Sequence, residues 1–156
     1  MYKKGLYWVV LAVTLTSMSH AADVSWTGLG GDRLWSNPAN WNDNQLPAGD
    51  SVFVEVPAAV EGKGPIIQSG DDLKISSLVC EVAGEPTMTM TGGSLDISGY
   101  IWWGDGQGCF GTMYMSGGTL STGSEFELGW GGGGGILYMT GGTINAQELV
   151  IPTNSG

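Results

Sequence analysis

The sequence predicts an all-β protein that folds as a right-handed parallel β-helix, a solenoid whose rungs each hold three short strands in about 24–25 residues. Similar nine-residue segments recur at 87–95 ("TMTMTGGSL"), 112–120 ("TMYMSGGTL") and 136–144 ("ILYMTGGTI"). Their Gly-Gly pairs begin at Gly92, Gly117 and Gly141, so the spacings are 25 and 24 residues. Inside each segment apolar and polar residues alternate, which is typical of a strand with one buried face. A β-sandwich stays open as an alternative, because repeated strands with glycine turns also form sandwiches or prisms.

Residues 1–21 have the pattern of a secretory signal peptide. The basic start "MYKK" is followed by the apolar run "GLYWVVLAVTLTSM" and then by small residues before Ala21. We expect cleavage after Ala21, with Ala22 as the alternative, and an uncleaved anchor is the less favoured reading. The apolar run is short for a membrane span. The sequence therefore predicts an extracellular or cell-surface protein with no membrane span after cleavage.

Residues 22–56 form a segment rich in tryptophan, with Asn, Asp, Gly and Pro between Trp26, Trp35 and Trp41. These polar residues indicate turns. A solenoid needs an atypical terminal unit to cover its open core, and three large aromatic side chains suit that role. The alternative is a carbohydrate-binding platform, because sugar rings pack on exposed indole faces.

Residues 57–86 are expected to form irregular first rungs, and residues 87–156 the regular glycine-rich repeats. The first strand of each repeat directs alternate residues inward: Met88 and Met90, Met113 and Met115, Leu137 and Met139. The second strand adds Leu95, Leu120 and Ile144. The third adds Ile101 and Trp103, Phe126 and Leu128, Leu149 and Ile151, with Trp102, Glu127 and Val150 on the outer face. Glycine-rich return loops at 104–111 and 129–135 close the rungs, and one rung alone buries too little to fold.

Charge and composition limit the chemistry. The formal net charge is −10, and removal of the signal peptide leaves three basic and fifteen acidic residues, or −12. So acidic a chain is a poor partner for nucleic acid. The only histidine, His20, leaves with the signal peptide. Nucleophile systems that use an imidazole base, and the common zinc sites, therefore lack a required group. We expect a protein that is not an enzyme and has no cofactor.

Two stretches, "SWTGLGGDRLWSNPANWNDNQLPAGDSVFVEV" and "MTMTGGSLDISGYIWWGDGQGCFGTMYMSGGTL", resemble exported bacterial proteins with glycine-rich β-helix repeats. The group includes proteins with the autotransporter-associated β-strand repeat and surface proteins with PEP-CTERM-type sorting tails. The resemblance implies a secreted, stalk-like or surface-display protein. This chain has fewer repeats than that pattern and ends at "IPTNSG" without a cap, sorting signal or translocator, so we expect a truncated repeat array.

Several candidate sites have modest sequence support. The adjacent acids Asp71 and Asp72 resemble part of a polysaccharide-hydrolase site but are more typical of a solvated turn. The segment 40–50 is rich in oxygen ligands without the spacing of a calcium loop, so Ca²⁺ is a weak candidate. Cys80 and Cys109 differ by four residues in their offset from the repeat, about 13 Å along a strand. That offset disfavours a disulfide unless the loops close the gap, and a buried small hydrophobe plus a loop thiol is the simpler interpretation.

Outward aromatic residues are the remaining candidate contacts. Tyr114 and Tyr138 should stack, with Thr89 below them and Trp102 on another face. Such a column either binds glycan or protein, or stabilises the sheet across rungs. The leading hypothesis is a non-enzymatic structural or adhesin-like segment. The alternative is a carbohydrate-binding or polysaccharide-degrading module that uses Trp26, Trp35, Trp41, Trp102, Tyr114 and Tyr138. We also expect end-to-end self-association through residues 136–156, where the last rung presents an open strand edge.

Overall fold

The computed structural model describes residues 22–49, 52–56, 63–81 and 83–151. The predicted signal peptide, most of the link between cap and first rung, and residues 152–156 lie outside these ranges. The described chain is almost entirely β, with one short 3₁₀ turn at Pro38–Asn40. Its strands are β1 (Ala22–Ser25), β2 (Val52–Glu55), β3 (Ile66–Ile67), β4 (Asp72–Ile75), β5 (Ser77–Cys80), β6 (Thr87–Ile97), β7 (Ile101–Trp103), β8 (Phe110–Thr122), β9 (Glu125–Leu128), β10 (Gly134–Asn145) and β11 (Glu148–Val150).

The strands form two parallel sheets whose members alternate along the chain. One sheet has the order β1-β2-β5-β7-β9-β11, and the other has β10-β8-β6-β3, with β4 also paired to β6. Four rungs result: β3 to β5, β6 with β7, β8 with β9, and β10 with β11. The first rung has two short strands, β3 and β4, where each later rung has one long strand. Every pairing between these strands is parallel, so the chain is a parallel β-solenoid and the sandwich alternative is wrong.

The Gly-Gly pairs bend a strand and do not end it, which corrects the prediction of two separate strands at these points in the regular rungs. β6, β8 and β10 each continue through their Gly-Gly pair, with shifts of register there. Gly118 has φ +85°, and an added Cβ would lie 2.6 Å from the carbonyl oxygen of Gly92 in the rung below. A glycine is therefore required both by the backbone conformation and by the close approach of neighbouring rungs. In the first rung the turn 68–71 separates β3 from β4 instead.

The predicted inward positions form the core. Met88 pairs with Met113, which pairs with Leu137, so equivalent residues lie one above another. The inward side chains of the second and third rungs are buried: Met88, Met90, Leu95, Ile97, Ile101, Trp103, Met113, Met115, Leu120, Phe126 and Leu128. The fourth rung follows the same register, but Leu149 and Ile151 are 52% and 63% exposed. Met139 is 45% exposed as well, so the described residues leave much of the apolar face of this rung uncovered.

The segment before the first rung is a packed cap. Trp26, Trp35 and Trp41 are at most 1% exposed, and Trp41 contacts the other two rings edge-on at centroid distances of 5.0 and 4.7 Å. The indole N–H of Trp26 donates to the carbonyl of Lys63 at 2.9 Å, which ties the cap to the chain entering the first rung. Because no indole face is open, these three residues are not surface contacts, and the carbohydrate-platform alternative is wrong for them.

Asn40 holds the cap loop together from a buried position. Its side-chain amide donates to Asp32 at 2.8 Å and to the carbonyl of Leu34 at 3.0 Å, and its side-chain oxygen accepts from the N–H of Gly30 at 2.8 Å. The buried Asn40 side chain thus provides hydrogen bonds to three polar groups in a loop that lacks the backbone hydrogen bonds of a β-sheet.

Candidate functional site

Two stacked tyrosines lie on the outer face of the sheet that contains β6, β8 and β10. Tyr114 of β8 pairs with Tyr138 of β10, and the ring centroids are 5.3 Å apart with an interplanar angle of 11°. Thr89 lies beneath Tyr114 in β6. The predicted stacking is confirmed. The rings are 45% and 53% exposed, and the stacking already uses one face of each ring. The column therefore stabilises the sheet and also presents aromatic surface to solvent.

A groove of about 440 Å³ runs beside this column. Phe110, Thr112 and Tyr114 alternate outward along β8, so the two aromatic rings flank the threonine. Thr87 lies below Thr112 and Ile136 lies above it in the neighbouring rungs. The groove thus follows the solenoid axis, with Phe110 and Tyr114 as walls and a β-branched ladder as its floor. Its further lining residues are Glu85, Gly134 and Gly135.

Gly134 leaves room for the Phe110 wall. It pairs with Phe110 one rung up, and an added Cβ would lie 2.8 Å from Cδ1 of that ring. The Phe110 side chain is 55% exposed, so a larger residue at 134 would displace it towards solvent or into the groove.

The lining of the groove combines aromatic rings with hydroxyl groups and a single carboxylate. Thr87, Thr112 and Tyr114 supply hydroxyls, Glu85 is the acid, and no residue that lines the groove is basic. Aromatic faces pack on the C–H faces of sugars, and hydroxyl and carboxylate groups exchange hydrogen bonds with sugar hydroxyls. An anionic ligand would meet Glu85 in a strongly acidic protein. The groove therefore suits a neutral, polyhydroxylated ligand.

Trp102 lies on the other sheet, away from the groove. It is half-buried, stacks on Tyr100 at a centroid distance of 4.0 Å, and donates its indole N–H to Glu125 at 2.8 Å. The hydrogen bond to Glu125 links the second and third rungs. The structure places the six candidate contact residues in three locations. The three tryptophans of the cap pack on one another in the core, Tyr114 and Tyr138 stack on the outer face, and Trp102 lies on the other sheet.

Phe110, Ile136 and Glu85 were missed as site residues. The glycine-rich sequence of residues 104–111 predicts a return loop, whereas β8 begins at Phe110. The alternation of Phe110, Thr112 and Tyr114 was the available signal. The contribution of Glu85 depends on the path of the loop before β6, which repeat periodicity does not describe.

The paired acids take part in turn and ladder hydrogen bonds. Asp71 accepts from the N–H of Gln68 at 2.9 Å, closing the turn between β3 and β4. Asp72 accepts from the hydroxyl of Ser94 at 2.5 Å in the next rung. The contact of Asp71 fits the interpretation as a turn residue, whereas Asp72 is the first residue of β4 and its hydrogen bond joins two rungs.

Two other carboxyl groups have shifted pKa values, in opposite directions. Asp32 accepts hydrogen bonds from the N–H of Leu34 and from Asn40 and Asn37, and these lower its pKa below 3.8. Glu127 points outward on β9 yet is only 8% exposed. Burial raises the pKa of Glu127 above 4.5, and the nearby charges of Asp105 and Glu125 raise it further.

Cys80 and Cys109 lie close together, which corrects the offset argument that placed them about 13 Å apart. Both are fully buried, and their Sγ atoms are 3.0 Å apart. The offset assumed that both residues follow the strand register. Instead Cys109 lies in the loop between β7 and β8, and its position is set by a bridge to Gly84.

Among the described residues, no group of three or more His, Cys, Asp or Glu side chains is arranged to hold a metal ion. The segment 40–49 accordingly offers no such group to support the calcium hypothesis, and Asp50 lies outside the described residues. No helix in the described ranges has the length and apolar character needed to cross a membrane.

Comparisons with protein-family models, curated proteins and solved structures find no match to this chain.

Proposed function

We propose that this chain is an exported structural segment that holds a rigid surface outside the cell and has no catalytic activity. The observation that carries the proposal is the in-register stacking of four rungs on one continuous apolar core, closed at the N-terminal end by a tryptophan cap. In such a solenoid each rung is stabilised by the adjacent rungs along one axis. Stacked rungs therefore create an extended surface. The sequence resemblance to exported β-helix repeat proteins supports the same proposal.

Export and display are tested in a bacterial host by comparing the full chain with a variant that lacks residues 2–21. We expect the full chain in the extracellular or surface fraction, with an N-terminus at Ala22 or Asp23 by mass spectrometry. The shortened variant should remain inside the cell. Equal retention of both proteins inside intact cells would contradict the proposal.

The absence of catalysis is tested separately on neutral and acidic polysaccharides. We expect no release of reducing or unsaturated ends above the level of a heat-unfolded sample. Asp71→Asn and Asp72→Asn provide the matched controls. Turnover that these substitutions abolish would establish an enzyme and overturn the structural assignment.

A second candidate function, binding of a neutral glycan, is favoured by the groove between Phe110 and Tyr114. Its aromatic walls, threonine hydroxyls and single carboxylate suit sugar rings. A glycan array with the wild-type chain should identify a preference, and Phe110→Ala and Tyr114→Ala should each weaken binding about tenfold or more, as loss of a buried aromatic contact does. Ser116→Ala, on the same outer face but outside the groove, is the control. Unchanged binding in both aromatic variants would place any ligand elsewhere.

A further inference from the structure

The two cysteines come from neighbouring rungs of the solenoid. Cys80 is the last residue of β5 in the first rung, and Cys109 lies in the loop that follows β7 in the second rung. Both thiols are fully buried with their Sγ atoms 3.0 Å apart, and the two residues are 29 positions apart in sequence.

Backbone hydrogen bonds hold the Cys109 loop in place from both sides. The N–H of Gly84 donates to the carbonyl of Gly108 at 2.9 Å, and the N–H of Phe110 donates to the carbonyl of Gly84 at 2.8 Å. The carbonyl of Cys109 accepts from Gly134 in the next rung at 2.8 Å, and the carbonyl of Cys80 accepts from Asp105 at 3.0 Å. These contacts do not depend on the sulfur atoms. The fold itself therefore brings the two thiols together.

We propose that Cys80 and Cys109 form a disulfide that joins the first rung to the loop leaving the second. A disulfide has an S–S separation of about 2.05 Å, so closure from the Sγ–Sγ contact at 3.0 Å shortens that distance by about 1 Å. Such a movement is within reach of side-chain rotation. The link closes a chain segment that contains most of the second rung.

The reaction is a two-electron oxidation. Two S–H bonds break, one S–S bond forms, and two protons and two electrons leave the cysteines. The acceptor is a small-molecule or protein disulfide, which is reduced to two thiols through a mixed-disulfide intermediate. Such acceptors are typical of the oxidising compartments outside the cytosol. The geometry of the pair is independent of export, so the test uses purified protein.

The order of folding and oxidation follows from the surroundings of Cys109. Burial raises the pKa of this thiol, and Asp105 and Glu81 raise it further, although contact with Cys80 lowers it. Thiolate is the reactive species, so exchange in the closed rung is slow. We therefore expect the disulfide to form while the second rung is still open.

The test refolds the unfolded, reduced chain in matched buffers of oxidised and reduced glutathione. In the oxidised buffer we expect a monomer lighter by two hydrogens, with the peptides containing Cys80 and Cys109 linked after digestion. Its Tm should exceed that of the reduced form by about 10 °C, because the link restricts a loop of about thirty residues in the unfolded chain. The single variants Cys80→Ala and Cys109→Ala should have the same Tm in both buffers.

Three results would overturn the proposal. The first is that both thiols of the refolded wild-type chain still react with a maleimide after unfolding. The second is that oxidation yields disulfide-linked dimers instead of the internal link. The third is that the internal link forms and the Tm does not rise. The comparison uses wild-type protein in both states, so it remains decisive even if a cysteine variant folds poorly.

Discussion

Met115 is the residue whose substitution most directly tests the inward register. It is 1% exposed and lies in the ladder between Met90 and Met139. Its methyl group reaches the rung above, 2.6 Å from the point where a Cβ on Gly142 would stand. A polar group at this position therefore has apolar neighbours both along and across the core. We predict that Met115→Asp unfolds the C-terminal rungs.

The magnitude follows from three terms. Loss of the buried Met side chain costs about 1.5–3 kcal/mol. An aspartate held neutral at pH 7, against an ordinary pKa of about 3.9, costs about 4 kcal/mol. Burial of the neutral acid without a hydrogen-bond partner adds about 1–3 kcal/mol. The total is at least about 6 kcal/mol, which equals much of the stability of an ordinary domain.

The assay is urea unfolding followed by far-UV circular dichroism. Met115→Leu, which nearly conserves volume, should cost less than about 1.5 kcal/mol. Ser116→Asp adds the same charge to the adjacent exposed residue and should change stability by about 0.5 kcal/mol or less. Equal losses in Met115→Asp and Ser116→Asp would refute the assignment of inward and outward faces.

Three further predictions concern the glycine bends, the shifted carboxyl groups and the open end. Gly118→Ala should destabilise the chain by more than Gly31→Ala. Both glycines have positive φ, but only the Cβ added at Gly118 would clash, at 2.6 Å from the carbonyl oxygen of Gly92. Equal decreases in Tm would mean that backbone conformation alone requires glycine at these positions. Glu127 has a folded pKa above 4.5, so its ionisation weakens the native state as pH rises through that value. Glu127→Gln should therefore have the higher Tm at pH 7, with the difference vanishing below about pH 4.5. Asp32 has a folded pKa below 3.8, so its stabilising effect is present at neutral pH and lost on acidification. Asp32→Asn should therefore lower the Tm at pH 7 and have the same Tm as the wild type at low pH. A Tm difference that does not depend on pH, in either the Glu127 or the Asp32 variant, would contradict these assignments. A chain of residues 22–156 should associate with rising concentration through the exposed last rung, and Leu149→Lys or Ile151→Lys should reduce the light scattering. A wild-type monomer at high concentration, unaffected by either lysine, would show that this edge is covered.

The inner ladder of the fold was predictable because one repeated signal determines it. Alternation in Met113 and Met115, together with the 24–25-residue period, defined both the buried face and the stacking of rungs. The Gly-Gly bends were not predictable, because a glycine pair is equally consistent with a turn between strands and a bend within one. The continuous strands β6, β8 and β10 distinguish the two, since each passes through its glycine pair.

The candidate site was predicted in part, for a related reason. Tyr114 and Tyr138 occupy equivalent positions of the repeat, so their stacking followed from the register. The burial of the cap tryptophans also followed, because a solenoid needs an atypical terminal unit to cover its core. The hydrogen bonds of Trp26 to Lys63 and of Trp41 to Trp35 did not, because they have no periodic pattern. The contact of Cys80 with Cys109 was not predictable either, because the path of the loop before β8, and not the strand register, determines the position of Cys109.

The separation of inner and outer faces explains how this fold could acquire a binding role without losing stability. Inward positions such as Met115 are constrained by a neighbour in the rung on either side, so they accept only apolar residues of similar volume. Outward positions such as Thr112 need only preserve strand propensity, and their side chains recur along the axis at the spacing of the rungs. A pair of exposed aromatic residues that flanks such a position, as Phe110 and Tyr114 do, creates a groove whose direction is set by the solenoid. Substitution of Phe110 should therefore alter binding far more than it alters folding, whereas substitution of Met115 should do the reverse.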